Sequence, residues 1–450
     1  MASWSGRFLA RAIALSLTAA VLLVHPVLLA TEQEEGRGWL GTWAVSPQAV
    51  ADPLPINGQT LRQIVHTSIG GDTVRIRLSN TYGTGDVVVG AASVALSAGG
   101  AATVDGTTRG LRFNGSPTIT ISPGTLVVSD PVRLWVPALG DVAVSIYLPG
   151  DVGATTRHDV GLQTNYLSAP GDFTDANDFS GTTTQSYHFL TAVEVRASNK
   201  SRAVVTVGDS VPDKFASTPD MNQRWPNLLA ERLQSHERTS DVAVLNPGVS
   251  GNRVLHDLVG TGSLFRLDRD VLVQTGAAHL IVLQGNVDIL IPDLIGIPTQ
   301  NVSAAQIIQG HRQIIDRARA MGRRVYGGTL NPVEGFPFPG FWTTVMEAKR
   351  QAVNHWIRTS RAYDAVVSPE AHLREAAGPL EDRGGRQGPP RTPRLTDSSS
   401  GPFPHTLRVV TPSAANNAVL KRGIAMRSSP DRAGRMQDKR DIVAFMKLLD

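Results

Sequence analysis

Cysteine is absent from the 450-residue chain. Thiol nucleophiles, cysteine metal sites and disulfides are therefore excluded, and an exported form must hold its fold by packing alone. Aromatic residues make up only 6% of the sequence, and beyond residue 30 no apolar stretch is long enough to cross a bilayer. Gly251-Asn252-Arg253 lacks the lysine-serine ending of a phosphate loop. No two histidines have the spacing of a metal pair, and His256, His279, His311 and His355 are expected to be packed or solvent-facing.

What is present points to two domains behind a leader. The length exceeds one typical domain and allows two real cores. Arg7 and Arg11 precede an apolar run over residues 12–30, which Glu32, Glu34 and Glu35 follow. This pattern predicts a signal peptide at 1–30 and a secreted protein, with an uncleaved membrane anchor as the alternative. The formal net charge of +4 is concentrated at the far end, where residues 371–450 hold fourteen Lys and Arg against eight Asp and Glu. A basic tail of this kind can touch anionic polymers, but a solvated end is the simpler reading, and no nucleic-acid partner is expected.

From 38 to 197 the chain is dense in Gly, Thr, Ser and Val. Residues 73–78, 132–136 and 142–148 alternate with period two, and Ser79-Asn80, Gly83-Thr84-Gly85 and Pro149-Gly150-Asp151 read as turns between strands. An all-β sandwich or jelly roll is expected. Such a domain beside an enzyme can contact carbohydrate, although Trp43 and Tyr82 are expected to be packed. Asn114, Asn199 and Asn301 each open an N-x-S triplet, which matters only in a glycosylating host.

After Ser201 the pattern changes to strand-then-helix units, read as an α/β domain over 201–450. Five buried strands are expected at 203–207, 242–245, 280–283, 324–326 and 365–367. One helix is expected to start at Trp225-Pro226, with Trp225, Leu228, Leu229 and Leu233 at helical spacing. A second runs from an N-cap at Ser303 to Gly322, and a third carries Ala348, Ala352, Val353, Trp356 and Ile357 on one face. This alternation implies a three-layer α/β/α domain around a parallel sheet. Residues 378–400 read as loop or disorder, and a helix is expected near 442–449.

Three strand ends carry residues suited to acyl transfer. Gly208-Asp209-Ser210 displays a hydroxyl where ligands bind in open α/β sheets. The run from Asn246 to Arg253 includes Gly251, whose backbone N–H can approach an oxyanion closely. Gly285-Asn286-Val287-Asp288 adds a side-chain amide. Each motif alone is also compatible with an ordinary turn.

Together with the 222–233 segment, Gly248 to Val254, and Thr359-Ser360 followed by Asp364, these blocks resemble the SGNH, or GDSL, family of serine esterases and lipases. The resemblance covers about 203–367, and the leading half resembles the β-sandwich that precedes such domains in some secreted members. It implies a flavodoxin-like fold with no metal or organic cofactor. Ser210 would be the nucleophile, with its own N–H and that of Gly251 as oxyanion donors. Asn286 is the third donor candidate, one residue earlier than the family's Gly-x-Asn-Asp block places its asparagine, so Val287 stands at that position.

The family's Asp-x-x-His block does not occur after residue 370; the run His405-Thr406-Leu407-Arg408 stands in the region where it belongs. An arginine base is excluded because it stays protonated. His405 is the candidate base, with Asp397 to orient it, and His372 is a weaker candidate. The expected function is hydrolysis of small-molecule or polysaccharide esters through an acyl-enzyme. The alternatives are a catalytically impaired, hydrolase-shaped module that binds carbohydrate or a cell surface, and a degraded C-terminal end on a formerly intact enzyme. Phe336, Phe338 and Phe341 either line an acyl or sugar site or simply pack.

Overall fold

The computed structural model describes residues 37–213, 217–333, 335 and 339–367. The leader, the 378–400 stretch, the helix expected at 442–449, and Phe336, Phe338, His372, Asp397 and His405 lie outside these residues.

Residues 37–198 are rich in β structure. One antiparallel sheet orders Arg37–Ala44, Leu190–Ser198, Gly71–Ser79 and Val132–Val136, and a second is built around Gln48–His66 and Asp141–His158. Alternation explains the first sheet: Val74, Ile76 and Leu78 are buried, and the residues between them are more exposed. The second departs from expectation, because Pro149-Gly150-Asp151 does not end a strand. The ladder continues from Leu148 opposite Gln59 to Asp151 opposite Asn57, so two residues face Gly58 alone. A bulge accommodates the missing proline N–H without breaking the strand.

The second part is a five-stranded parallel sheet. Its strands are β1 (Arg202–Gly208), β2 (Val242–Leu245), β3 (Ala277–Leu283), β4 (Arg324–Gly328) and β5 (Ala365–Val367), in the order β2-β1-β3-β4-β5. Strands β3 and β4 are longer than the apolar pattern predicts, because His279 and Gly327 join the ladder despite being polar and small. Helices α1 (Ser210–Asp213), α2 (Trp225–Gln234), α3 (Ser263–Leu267), α4 (Asn286–Leu294), α5 (Ala304–Ala320) and α6 (Thr344–Thr359) connect and cover the strands.

Val204, Val244, Ile281 and Tyr326 pack under Leu229, Ala230 and Leu233 of α2. The alternate positions Val205, Val207, Leu280, Val282 and Val325 belong to the core that α5 and α6 complete, so helices lie on both faces. Helix α5 follows its predicted pattern, burying Ile307, His311, Ile314, Ile315 and Ala318 behind a capping box between Ser303 and Gln306. Helix α6 differs. Ala348 and Ala352 are exposed, and Arg350 and Asn354 are buried with Val353 and Ile357. The reason is polar: Arg350 Nη1 and Asn354 Nδ2 donate to the Leu330 carbonyl at 2.7 and 2.9 Å, and Asn354 Oδ1 accepts from Leu330 N–H at 2.7 Å.

The β-rich region covers the open edge of this sheet at β2. Val244 N–H donates to Ser68 Oγ at 3.0 Å, and Gly41 N–H to the Thr275 carbonyl at 3.0 Å. A Cβ at Gly41 would lie 2.8 Å from Leu245, so glycine is what lets the two regions approach. An edge strand's unpaired groups are thereby satisfied within the chain.

Candidate active site

Ser210 follows the C-terminal end of β1 and opens α1 half-buried. The first N–H groups of a helix have no intrahelical partner, so the backbone N–H of Ser210 is not used within α1. The turn depends on Gly208, where a Cβ would sit 2.4 Å from the Leu283 carbonyl. Asp209 is buried, with Oδ1 accepting from Val211 N–H at 3.0 Å. Burial pushes its carboxyl up to about 7, against the pull of that N–H, and the nearby Asp288 and Asp213 add to the rise.

The loop 246–253 lies alongside. Thr206 Oγ1 donates to Asn246 Oδ1 at 2.8 Å, and Asn246 Nδ2 to the Pro212 carbonyl at 2.9 Å, which ties this loop to α1. Gly251 has φ +79°, a conformation that side chains disfavour, and a Cβ there would meet Val259 at 2.9 Å. Asn252 is a structural node: its Oδ1 accepts from Ser263 Oγ, Arg266 Nε and Gln284 Nε2 at 2.7, 3.1 and 3.1 Å, and its Nδ2 donates to Thr261 O at 2.9 Å. It is committed to holding the loop.

The third block is a helix start. Gly285 is the N-cap of α4, so Asn286 and Val287 are successive helical residues and differ by one helical step. Asn286 Nδ2 donates to the Asn331 carbonyl at 3.1 Å, and among the described residues its buried Oδ1 has no partner. Val287 is buried. Asp288 accepts from Val254 and Leu255 N–H at 2.8 and 3.2 Å, and burial pushes its carboxyl up to about 6 against those bonds. The third block thus clamps the second through Asp288.

Several long-range contacts here have no sequence signal. Arg266, fully buried, donates to Ser46 Oγ at 2.7 Å and to the Pro247 and Gly208 carbonyls at 2.8 and 3.4 Å. His158 of the β-rich region meets Asp213 Oδ1 at 3.1 Å, and Asp213 Oδ2 accepts from Ser250 N–H and Oγ at 2.8 and 2.7 Å. Residues so far apart in the chain share no spacing that a reader could recognise.

Among the described residues no imidazole is bonded to the Ser210 hydroxyl. The rings of His66, His158, His236, His279 and His311 have partners elsewhere, and both ring nitrogens of His188 are buried without one among the described residues. His311 Nε2 donates to the Gln284 carbonyl, which leaves Nδ1 to accept from Tyr363 OH at 2.6 Å. Trp43 and Tyr82 are packed, as expected: Trp43 lies edge-on to Tyr187, and Tyr82 OH bonds Thr261 Oγ1 at 2.6 Å. No group of acidic or histidine side chains among the described residues is arranged to hold a metal. No described helix is long and apolar enough to cross a membrane.

No curated protein matches the chain. Among solved structures it is similar to Axe2, an acetylxylan esterase from Geobacillus stearothermophilus, at 18% identity over 50% of this chain and 95% of that one, with a TM-score of 0.32. Est24, a carbohydrate acetylesterase from Sinorhizobium meliloti, is similar at 14% identity over 37% and 84%, with a TM-score of 0.31. TesA is similar at 21% identity over 36% and 77%, with a TM-score of 0.28. Residues 206–391 match the model of the GDSL-like Lipase/Acylhydrolase family. The segment that matches the GDSL-like lipase/acylhydrolase family model thus contains Gly208-Asp209-Ser210 and the second and third blocks locked together by Asp288, and a β-rich region precedes it in this chain.

Proposed function

We propose that the protein is a secreted serine hydrolase that cleaves carboxylic esters, carbohydrate esters included, through an acyl-enzyme on Ser210. The observation that carries this reading is Ser210 at the head of a helix that Asp213 ties to the loop bearing Gly251. In the reaction, Ser210 Oγ loses its proton to a neutral imidazole and attacks the ester carbonyl. The oxyanion that forms faces the N–H groups of Ser210 and Gly251, each such donor contributing roughly 3 kcal/mol to the transition state. Asn286 can add one further N–H, since its other is bound to Asn331. The alcohol leaves with a proton returned by the imidazole, and water then releases the acyl group. His405, oriented by Asp397, fills the base role in this reading. The two sheets of residues 37–198 are read as a sandwich, and Trp135, 68% exposed, is the aromatic surface best suited to stack on a sugar ring.

A second reading rests on Val287, which replaces a polar donor with an apolar side chain. In it, a hydrolase-shaped module without turnover binds carbohydrate or a cell surface. Labelling with a fluorophosphonate probe and hydrolysis of a short aryl ester separate the two, with the chain compared against Ser210→Ala. Signal from the parent alone supports the hydrolase, and equal signals overturn it. Mass spectrometry of the exported chain tests secretion: a new N-terminus near residue 31 is expected, and an intact leader would favour the membrane anchor.

A further inference from the structure

We infer that His158 is a positioning residue of the candidate site, the point at which the β-rich region holds together the two segments that carry Ser210 and Gly251. This rests on the hydrolase reading above, but it concerns a residue outside the 206–391 match. Asp213 lies one helical turn beyond Ser210, and Ser250 directly precedes Gly251. The Asp213 carboxylate bridges them, with Oδ2 holding both donors of Ser250 and Oδ1 facing His158. Among the described residues the side chains that bond its oxygens are those of Ser250 and His158, so His158 is the side chain that ties this bridge to the β-rich region.

The ring is held at both nitrogens. Nδ1 lies 3.0 Å from the Ser46 carbonyl, and Nε2 lies 3.1 Å from Asp213 Oδ1. A carbonyl can only accept, so Nδ1 donates to Ser46 and Nε2 is left facing the carboxylate. Burial alone would push the Asp213 carboxyl up. The charge and hydrogen bond of His158, the charge of Arg224 and the hydrogen bond from Ser250 outweigh that and hold it below its ordinary value.

Both side chains are 1% exposed, and a buried charge stays fixed only while its counter-charge does. Ser46 is itself held from the other domain by Arg266, which also bonds the Pro247 and Gly208 carbonyls at the roots of both loops. The β-rich region thereby sets the separation between nucleophile and oxyanion donor, a distance to which acyl transfer is sensitive.

The test compares the full chain with His158→Ala, His158→Gln and Ser250→Ala. Amide hydrogen exchange at 208–213 and 249–252 is expected to be about tenfold faster in His158→Ala, with the rest of the β-rich region unchanged. The aryl-ester kcat should fall by about tenfold or more while KM stays within about twofold. His158→Gln keeps a donor toward Asp213 and should recover much of both losses. Ser250→Ala removes one of the three bonds, is the variant to read if His158→Ala does not fold, and should show the same two changes at smaller size. Exchange at the two segments no faster than in the parent, an increase spread evenly over the chain, a Gln variant no better than Ala, or an unchanged Ser250→Ala would each overturn the inference. Exchange does not depend on turnover, so a parent chain inactive toward the ester refutes the hydrolase reading and leaves the anchoring role to be decided on its own.

Discussion

The two regions of this molecule bury polar groups in opposite ways. In the antiparallel region, Arg62 is fully buried, yet it donates to Ser145 Oγ at 2.8 Å and to the carbonyls of Ala101, Phe173 and Ala176 at 2.5, 3.2 and 2.7 Å. Its guanidinium also lies over the Phe179 ring. All of these partners belong to the same region, so the charge is satisfied locally. At the carboxyl ends of the parallel strands, Asp209, Asp213 and Asp288 are buried close together, two with pKa values pushed up and one held down by a histidine from the other region. Antiparallel hairpins close on themselves, whereas parallel strands deliver several loops to one edge. That edge is where burial and charge are set against each other, and perturbed groups of this kind cluster at functional sites in proteins generally.

The largest expected effect breaks the comparison at the reactive edge. Ser210→Ala should lower ester hydrolysis by about 1000-fold or more and abolish fluorophosphonate labelling, with the unfolding midpoint unchanged. A retained rate would move the chemistry elsewhere.

Second comes the pH dependence of stability. Asp209 has its pKa raised in the folded state to about 7, so the fold binds a proton there that the unfolded chain releases above about 4. Stability is therefore greatest below that range and is lost as pH rises through about 7. Asp209→Asn keeps the Oδ1 acceptor for Val211 and should raise unfolding free energy by on the order of 2–4 kcal/mol at about pH 8, with little change at about pH 3. His311 works in the other direction. Its folded value is pushed down to about 4, so the stability it contributes is present above about 6.5 and lost as pH falls through about 4. Urea denaturation at several pH values reads both effects.

Third, Arg62→Met leaves its carbonyl partners unpaired and should cost about 3 kcal/mol by urea denaturation, with the labelling rate at Ser210 unaltered. A changed labelling rate without a stability loss would show that the antiparallel region is not self-contained at this point. The smallest effect is expected far from both, where Ser303→Ala removes the capping box of α5 and should lower stability by about 1 kcal/mol.

Much of the fold was legible because its signals are local. The apolar runs at 242–245 and 365–367 match β2 and β5, and Ser303 caps α5 where its pattern begins. The misreadings also have local causes. Pro149 reads as a turn because a single strand cannot reveal that its partner leaves room for a bulge. Ala348 and Ala352 read as core because apolar spacing gives no weight to Arg350 and Asn354, which are buried to pair with Leu330. Around the strand ends, Ser210 and Gly251 stand out in the sequence through their blocks, whereas His158, Arg266 and Ser46, which the fold brings beside those loops, do not.

The order of residues by itself determined which backbone can turn at Gly208 and Gly251, which stretches alternate or run apolar, and where a hydroxyl meets a strand end. These depend on a few neighbouring residues and on the steric limits of their own φ and ψ. Only the tertiary structure decided that Asn252 is occupied as a scaffold, that Asp288 clamps one block to another, and that a histidine from the β-rich region faces Asp213. Such pairings form between side chains brought together by two cores, and a buried charge acquires its partner only when the chain has closed around it.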